Sequence, residues 1–422
     1  MRVTRIDWDG ADAAGLATRL RPDGPGPAAV GEDVAGIIRR VRNEGDAAVL
    51  ELGAQFDGVR PQSLRVPSEE IHAAAAMLDP DFREALGVAA ANIRRVAESQ
   101  LAARPVSVDL PQGQTVMIRE VAVASAGIYV PGGGAALASS ALMCAIPAHV
   151  AGVGRIAVAS PPGPEGRVSA AVLAACDEAG VEEVYATGGA QAIAALAVGT
   201  ETIASVDLVA GPGNPYTQEA KRQLFGQVGI DGIAGPSELM VILDRSANVE
   251  WIAFDLCAQA EHGADSPLVA AAVEPGILDR LAGRVAEIAS ERPSVTEAAL
   301  ALVTMPSADD AIALANALAP EHLQIAVEDA EERAAAVKTA GCVFLGDTCA
   351  TAFGDYAAGS NHVLPTGGAG RFQGPLGPGS FRRRIANVSL PGPAAAALAP
   401  HVDALARAEG LPVHGESARL RR

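Results

Sequence analysis

Lysine is almost missing from this 422-residue chain: of 32 basic residues, only Lys221 and Lys338 are lysines. That bias points to a GC-rich genome more than to a function. A basic surplus is missing too, because the net charge is −18. Nucleic acid and anionic membranes both need a basic surface, so neither is an expected partner. No apolar run reaches the roughly 18 residues of a membrane span; Asp, Glu, Arg and Pro break the Ala-rich stretches. The N-terminus opens on Arg2, Arg5, Asp7 and Asp9, without an apolar signal core, which predicts a soluble, cytoplasmic protein. Cys144, Cys176, Cys257, Cys342 and Cys349 are odd in number, widely spaced and form no CxxC. A thiolate zinc site and a disulfide framework are therefore not expected. There is also no GxGxxG fingerprint, no GxxxxGK[ST] loop and no repeat of fixed period.

What the chain does have is length and 49% hydrophobic residues, enough for two or three domains and too apolar for disorder. Residues 1–110 read as helical, with Gly31–Glu44, His72–Leu78 and Pro80–Leu101 spacing apolar residues as helices do. Pro105–Ala124 alternates like a pair of strands. Two βα series follow. The first predicts strands at Ile156–Ala159, Glu183–Thr187 and Asp207–Ala210, with helices at Ser169–Ala179 and Gln191–Val198. The second predicts strands at Leu239–Leu243, Leu268–Ala272, Ala301–Met305, Leu323–Val327 and Cys342–Leu345. Its helices fall at Ala247–Gln259, Gly276–Glu291, Ala308–Leu318 and Ala330–Ala340. Such alternation implies parallel sheets covered on both faces, hence two doubly wound α/β domains with a cleft between them. Ligands are expected at the C-terminal ends of the strands. Gly367–Gly379 reads as a loop and Pro393–Glu409 as a helix, with His414 on a tail beyond.

Glycine clusters sit at Val130-Pro-Gly-Gly-Gly134, Gly188-Gly-Ala-Gln191 and Gly211-Pro-Gly-Asn214. Each alone reads equally well as a tight turn. Three in one series, beside Tyr129, Gln191 and Asn214, point to a cleft where a ligand can approach the backbone closely. Gln259 and His262 share one helix face at a spacing of three and could bind a divalent metal or simply end the helix. Glu321-His322 could activate water and shuttle protons on one substrate, or be a surface pair at a strand start. Asp355 and His362 offer an oxygen and an imidazole ligand, or an N-cap and a loop residue. Glu409 and His414 lie in the C-terminal element. Cys144 is a buried small hydrophobe, with a catalytic thiol for aldehyde oxidation as the alternative. His72, His149 and His401 sit in helical stretches and read as structural.

Together these segments resemble the histidinol dehydrogenase family. The resemblance runs through GIYVPGGGAALASSALMCAIPAHVAGV, GGAQAIAALAVGT, LVAGPGNPY, VGIDGIAGPSE, DLCAQAEH, LAPEHLQI, GDYAAGSNHVLPT and EGLPVH, in the family's order, over residues 30 to 415. It implies a cytoplasmic homodimer with two incomplete Rossmann-like domains and small N- and C-terminal segments. The division would be an N-terminal segment 1–23, a zinc- and catalysis-bearing domain 24–107 plus 237–376, an NAD-binding domain 108–236, and a helical tail 377–422 reaching the partner subunit. It implies oxidation of L-histidinol to L-histidine through L-histidinal, with two NAD⁺ and one zinc per subunit.

The zinc ligands implied are Gln259, His262, Asp355 and His414, the last supplied across the dimer. His322 is implied as the proton-transferring base and Glu321 as the activator of water. Substrate contacts fall on Ser237, Gln259, His262, His322, Asp355, His362, Glu409 and His414, and NAD contacts on Tyr129, Gln191 and Asn214. Departures from the family pattern occur at Gly134, Leu137 and Ala138, at Pro215, and over Phe372–Phe381. They alter the cleft edge but remove none of these residues. Competing readings are a paralogue oxidising another amino- or sulfo-alcohol, and a non-catalytic zinc-binding scaffold.

Overall fold

A computed structural model describes residues 1–21, 27–101, 105–132, 137–295 and 297–421. Gly133 and Gly134 of the first glycine cluster, and the expected boundary at 23/24, lie outside the described residues. Fourteen strands occur among the described residues. In chain order they are β1 (Arg2–Asp7), β2 (Val106–Asp109), β3 (Thr115–Ala122), β4 (Ser125–Tyr129), β5 (Arg155–Ser160), β6 (Glu183–Ala186), β7 (Leu208–Ala210) and β8 (Gly229–Ile230). They continue as β9 (Leu239–Leu243), β10 (Pro267–Ala272), β11 (Ala299–Thr304), β12 (His322–Ala326), β13 (Cys342–Leu345) and β14 (Arg382–Ser389).

The two βα series form two parallel sheets. The first runs β6-β5-β4-β7-β8 and the second β1-β11-β10-β9-β12-β13. Counted within its own series, each has the order 3-2-1-4-5, the first five strands of a Rossmann sheet. Both faces of each are covered. Ile128, Val158 and Val184 face one core of the first sheet, while Tyr129, Ala157 and Tyr185 face the other. In the second, Leu239, Val241 and Leu243 face one side and Met240 and Ile242 the other. All five residues of β9 are buried, which is why its sequence is an unbroken apolar run.

The N-terminal third differs from expectation in two ways. β1 pairs parallel with β11 and extends the second sheet, although its stretch reads as part of a helical region. Charged residues on an exposed edge strand, with burial confined to its inner neighbours, hide the strand signal. The helices that follow do not join the second unit, as the 24–107 plus 237–376 division expects. The helices Gly31–Glu44 and Asp46–Phe56 cover one face of the first sheet, and Ser68–Ala74 and Pro80–Ser99 cover the other. Helical spacing tells that one face is buried, not against which sheet.

β2, β3 and β14 form a separate antiparallel sheet. The chain ends in two helices, Gly392–Ala408 and Pro412–Arg419, that pack mainly on each other. Leu405, Val413 and Leu420 stand exposed on this hairpin. Among the described residues no helix is long and apolar enough to cross a membrane.

Candidate active site

The C-terminal edge of the first sheet faces the N-terminal edge of the second across a cavity of about 460 Å³. From the first sheet come Gly211, just past β7, and Asp231, just past β8. From the second come Ser237, two residues before β9, and Glu321 and His322 at the start of β12. The expectation that ligand residues gather at C-terminal strand ends therefore holds for one sheet and not the other. β9 and β12 are neighbours, with Leu239 paired to His322, so the residues at their beginnings meet at one point.

Glu321 and His322 are both nearly buried. Their side chains approach to 3.4 Å, but each is held first by the residue pair Ser237-Glu238. Glu321 Oε2 accepts from the Ser237 hydroxyl at 2.5 Å and from the Glu238 N–H at 2.9 Å. His322 Nδ1 donates to the Glu238 carbonyl at 3.0 Å. In the neutral imidazole that bond leaves the lone pair on Nε2, the nitrogen on the side of Asp355 and the cavity. Burial works to lower the His322 value, but Glu321 and Asp355 outweigh it and push it up to about 10. Asp355 Oδ1 lies 3.4 Å from Nε2. Burial raises the Asp355 carboxyl, yet His322, with His362 and His262 nearby, leaves it below the ordinary carboxylate value.

Gln259 ends the helix Val249–Ala260 and is buried. Its orientation follows from donor counting. Glu321 Oε2 takes the Glu238 N–H and the single Ser237 proton. Ser237 can then only accept from Gln259, and Gln259 Nε2 lies 2.6 Å away. The amide oxygen Oε1 is thus turned away from Ser237 and has no partner. His262, one turn on, reaches the same cavity. An imidazole and a carboxylate on this cavity, with an orphaned amide oxygen one helical turn from the imidazole, are donors of the kind a divalent cation takes. Among the described residues no group of three or more His, Cys, Asp or Glu stands ready to hold a metal. The set here has only two of those residue types from the one chain.

His362 lines the cavity, but both its nitrogens are engaged. Nδ1 lies 2.8 Å from the Asp355 carbonyl and Nε2 3.1 Å from the Ser140 hydroxyl. Burial keeps it below its ordinary value. Cys144 lines neither this cavity nor the next, and burial pushes its thiol well up, which removes the thiol alternative.

A second cavity of about 770 Å³ adjoins the first and gathers Tyr129, Gln191 and Asn214. Tyr129 ends β4, Gln191 lies in the first turn of the helix Gly189–Val198, and Asn214 caps the helix Pro215–Leu224 by accepting from the Thr217 N–H at 3.1 Å. The order of the sheet reverses between β4 and β7, so this is its switch point, with two helix N-termini close by. Both polar atoms of the Gln191 amide are buried and without partners. The Tyr129 hydroxyl accepts from the Gly189 N–H at 3.1 Å, and burial pushes it up to about 12, so it stays a neutral donor. Gly211 walls the first cavity and lies against Tyr129 of the second. Its φ is +124°, and a Cβ there would fall 2.2 Å from the Tyr129 carbonyl oxygen, so no other residue fits.

The model of the histidinol dehydrogenase family matches residues 25–422 of this chain. The chain belongs to that family. It is accordingly an oxidoreductase acting on an alcohol. The histidinol dehydrogenase of Ruegeria pomeroyi is 45% identical to it, over 98% of this chain and 96% of the relative. That of Caulobacter vibrioides is 44% identical, over 94% and 93%. The crystal structure of histidinol dehydrogenase from Elizabethkingia anophelis is similar with a TM-score of 0.92 at 32% identity, covering 100% of this chain and 98% of that one.

Two residues of the expected site are not in it. Glu409 ends the first helix of the terminal hairpin and His414 lies in the second, and neither borders the first cavity. Sequence reasoning also passed over Glu238, whose backbone orients both Glu321 and His322, and Ser140, which holds His362. Glu238 stands in the AGPSE segment beside a recognised serine, which was the available signal. Ser140 had none.

Proposed function

We propose that this protein oxidises L-histidinol to L-histidine through L-histidinal in the last steps of histidine biosynthesis, as a cytoplasmic homodimer with zinc and NAD⁺. The observation that carries the reading is one cavity on which Ser237, His262, Asp355, Glu321 and His322 converge, with the orphaned Gln259 oxygen on the amide that Ser237 holds, beside a second cavity suited to a dinucleotide. Gln259, His262 and Asp355 would hold zinc, whose chemistry here is to fix the substrate amine and imidazole. Tyr129, Gln191 and Asn214 would hold NAD⁺, which supplies the hydride acceptor.

His322 would take the alcohol proton at Nε2: Glu238 holds its Nδ1, and a cation held by Asp355 would remove the carboxylate charge that otherwise keeps a second proton on the ring. Glu321 takes a proton from water as the water adds to the aldehyde carbon. Ser237 and the Glu238 N–H hold Glu321 through Oε2, and no hydrogen bond among the described residues reaches Oε1. Histidinal formed in the first step stays enclosed, so the hydrate forms where the second hydride leaves. The pair acts on successive steps rather than on each other, and both carboxylate and imidazole are positioned before substrate arrives.

Glu409 and His414 are assigned to the site of the partner subunit. The support is a hairpin with an uncovered apolar side and little packing on its own chain, carrying two polar residues that its own cavity lacks. His362, Ser237 and Glu409 are assigned to the substrate.

The test is NADH formation from L-histidinol by purified protein, before chelation, after it, and after zinc is restored. Two NADH per histidinol, lost and regained with the metal, is the expected result. No turnover by folded, zinc-loaded protein overturns the substrate assignment, and turnover of sulfonated or other amino alcohols instead would replace it.

A further inference from the structure

The two lysines of this arginine-rich chain occupy opposite environments. Lys338 is exposed, whereas the Lys221 side chain is 2% exposed, on the helix Pro215–Leu224. Its Nζ lies 2.5 Å from Asp231 Oδ1, and Asp231 is itself 5% exposed. Nζ also donates to the Gly211 carbonyl at 3.1 Å. Asp231 Oδ2 accepts from the Gly211 N–H at 2.8 Å, and Oδ1 from the Gly232 N–H at 2.9 Å. Both backbone groups of Gly211 are therefore held by the two ends of one buried ion pair. Gly211 lies just past the end of β7, in a backbone conformation no strand ladder supports.

The turn that begins there serves both cavities. Gly211, Pro212 and Gly213 wall the first, and Asn214 lines the second. The clamp is also tied to the second unit, because Gln373 Nε2 donates to the Asp231 carbonyl at 2.8 Å. A buried ion pair is a poor source of net stability, since an apolar pair of similar volume often serves as well. What it supplies is a fixed geometry for whatever it holds. The choice of lysine fits that use: a compact ammonium meets one carboxylate oxygen and one carbonyl, whereas a planar guanidinium brings five donors in a wide fork.

We propose that Lys221 and Asp231 are positioning residues that clamp the Gly211–Asn214 turn, and so set where the dinucleotide in the second cavity meets the substrate in the first. The proposal rests on the NAD⁺ reading above.

The experiment compares Lys221→Arg with the parent enzyme, both zinc-loaded, and adds the double variant Lys221→Met, Asp231→Asn. Lys221→Arg keeps the charge and so avoids an unpaired buried carboxylate. Calorimetric titration gives the Kd of NAD⁺ and of L-histidinol separately, and thermal unfolding reports the fold. The expected result for Lys221→Arg is an NAD⁺ Kd raised about tenfold or more, the loss of about one hydrogen bond from the displaced turn. The histidinol Kd shifts less, because its polar contacts come from the second unit, the Tm stays near the parent value, and the double variant shows the same split. An unchanged NAD⁺ Kd in folded Lys221→Arg overturns the clamp while leaving the NAD⁺ reading intact. Equal weakening of both ligands together with a fallen Tm also overturns it, in favour of a structural pair. A parent enzyme that does not bind NAD⁺ overturns the dinucleotide reading, and the clamp with it.

Discussion

Removing one oxygen atom, by Ser237→Ala, tests how the reacting groups are held. The Ser237 hydroxyl donates to the Glu321 carboxylate at 2.5 Å and accepts from Gln259 Nε2 at 2.6 Å. The first bond is to a charged group and is worth about 1.5–3 kcal/mol; the second is worth about 1 kcal/mol. If both were expressed in the rate, the loss of about 2.5–4 kcal/mol would equal roughly 60- to 700-fold at about 1.4 kcal/mol per decade. Glu321 keeps the Glu238 N–H, so the lower end is the expectation: kcat/KM for histidinol falls about 60-fold. Zinc occupancy should fall as well, because without Ser237 nothing compels the Gln259 amide to present its oxygen. The assay is steady-state NADH formation at saturating NAD⁺, with zinc content measured on the same samples. Ser237→Thr, which keeps the hydroxyl, is the control. A Ser237→Ala enzyme that is folded, fully zinc-loaded and within about twofold of the parent would refute the donor counting on which the orientation of Gln259 rests.

Glu321→Gln keeps an acceptor for Ser237 and Glu238 but loses the base, so oxidation of supplied histidinal should slow about 10²- to 10⁴-fold, while the first hydride transfer, read in single turnover, suffers less; equal loss in both steps would contradict the division of labour. Glu238 is buried, and desolvation raises its carboxyl from 4.5 to about 7. The fold thus favours its protonated form, and this contribution, roughly 3 kcal/mol at most, is present below about pH 4.5 and lost as pH rises to about 7. Glu238→Gln, which can still accept from the Gly367 N–H, should flatten that decline in a series of unfolding curves; parallel curves would remove Glu238 as its source. Finally, mixing a His414→Ala chain with a Glu321→Ala chain should restore part of the activity that each lacks alone, and silence in verified mixed dimers would count against a shared site.

The second βα series is legible in the sequence because its strands are buried on both faces. An unbroken run such as Leu239–Leu243 has one reading. β1 and β14 are not, because charged residues dominate them: Arg2, Arg5 and Asp7 in one, Arg382, Arg383 and Arg384 in the other. Glu321-His322 is visible as a dipeptide, and the structure shows why it works as one: the first residue of the pair ends the turn and the second begins β12. The Lys221–Asp231 clamp is hidden, since ten residues separate its members and only the fold joins them. The placement of the N-terminal helices is hidden for a related reason. Their apolar stripes fit any sheet, and only the assembled cores decide between the two.

The two sheets share one strand order yet offer opposite edges to the cleft, and electrostatics gives a reason. At the C-terminal edge of a parallel sheet the following helices begin, so backbone N–H groups and the positive ends of helix dipoles gather there. The helices starting at Gly189 and Pro215 flank the second cavity in this way, which suits the phosphates of a dinucleotide. At the N-terminal edge the preceding helices end. Gln259 and His262 sit where the helix Val249–Ala260 terminates, at the negative end of its dipole, which suits a cation. An arrangement with both C-terminal edges in the cleft would put the proposed zinc beside helix N-termini and their positive ends. Facing one edge of each kind lets a single cleft hold an anionic cofactor and a cationic metal a few residues apart. The Gly211–Asn214 turn stands at the boundary between those two fields. A rigid clamp is worth most at that boundary, because a shift there moves the wall the dinucleotide meets and, with it, the distance between the two ligands.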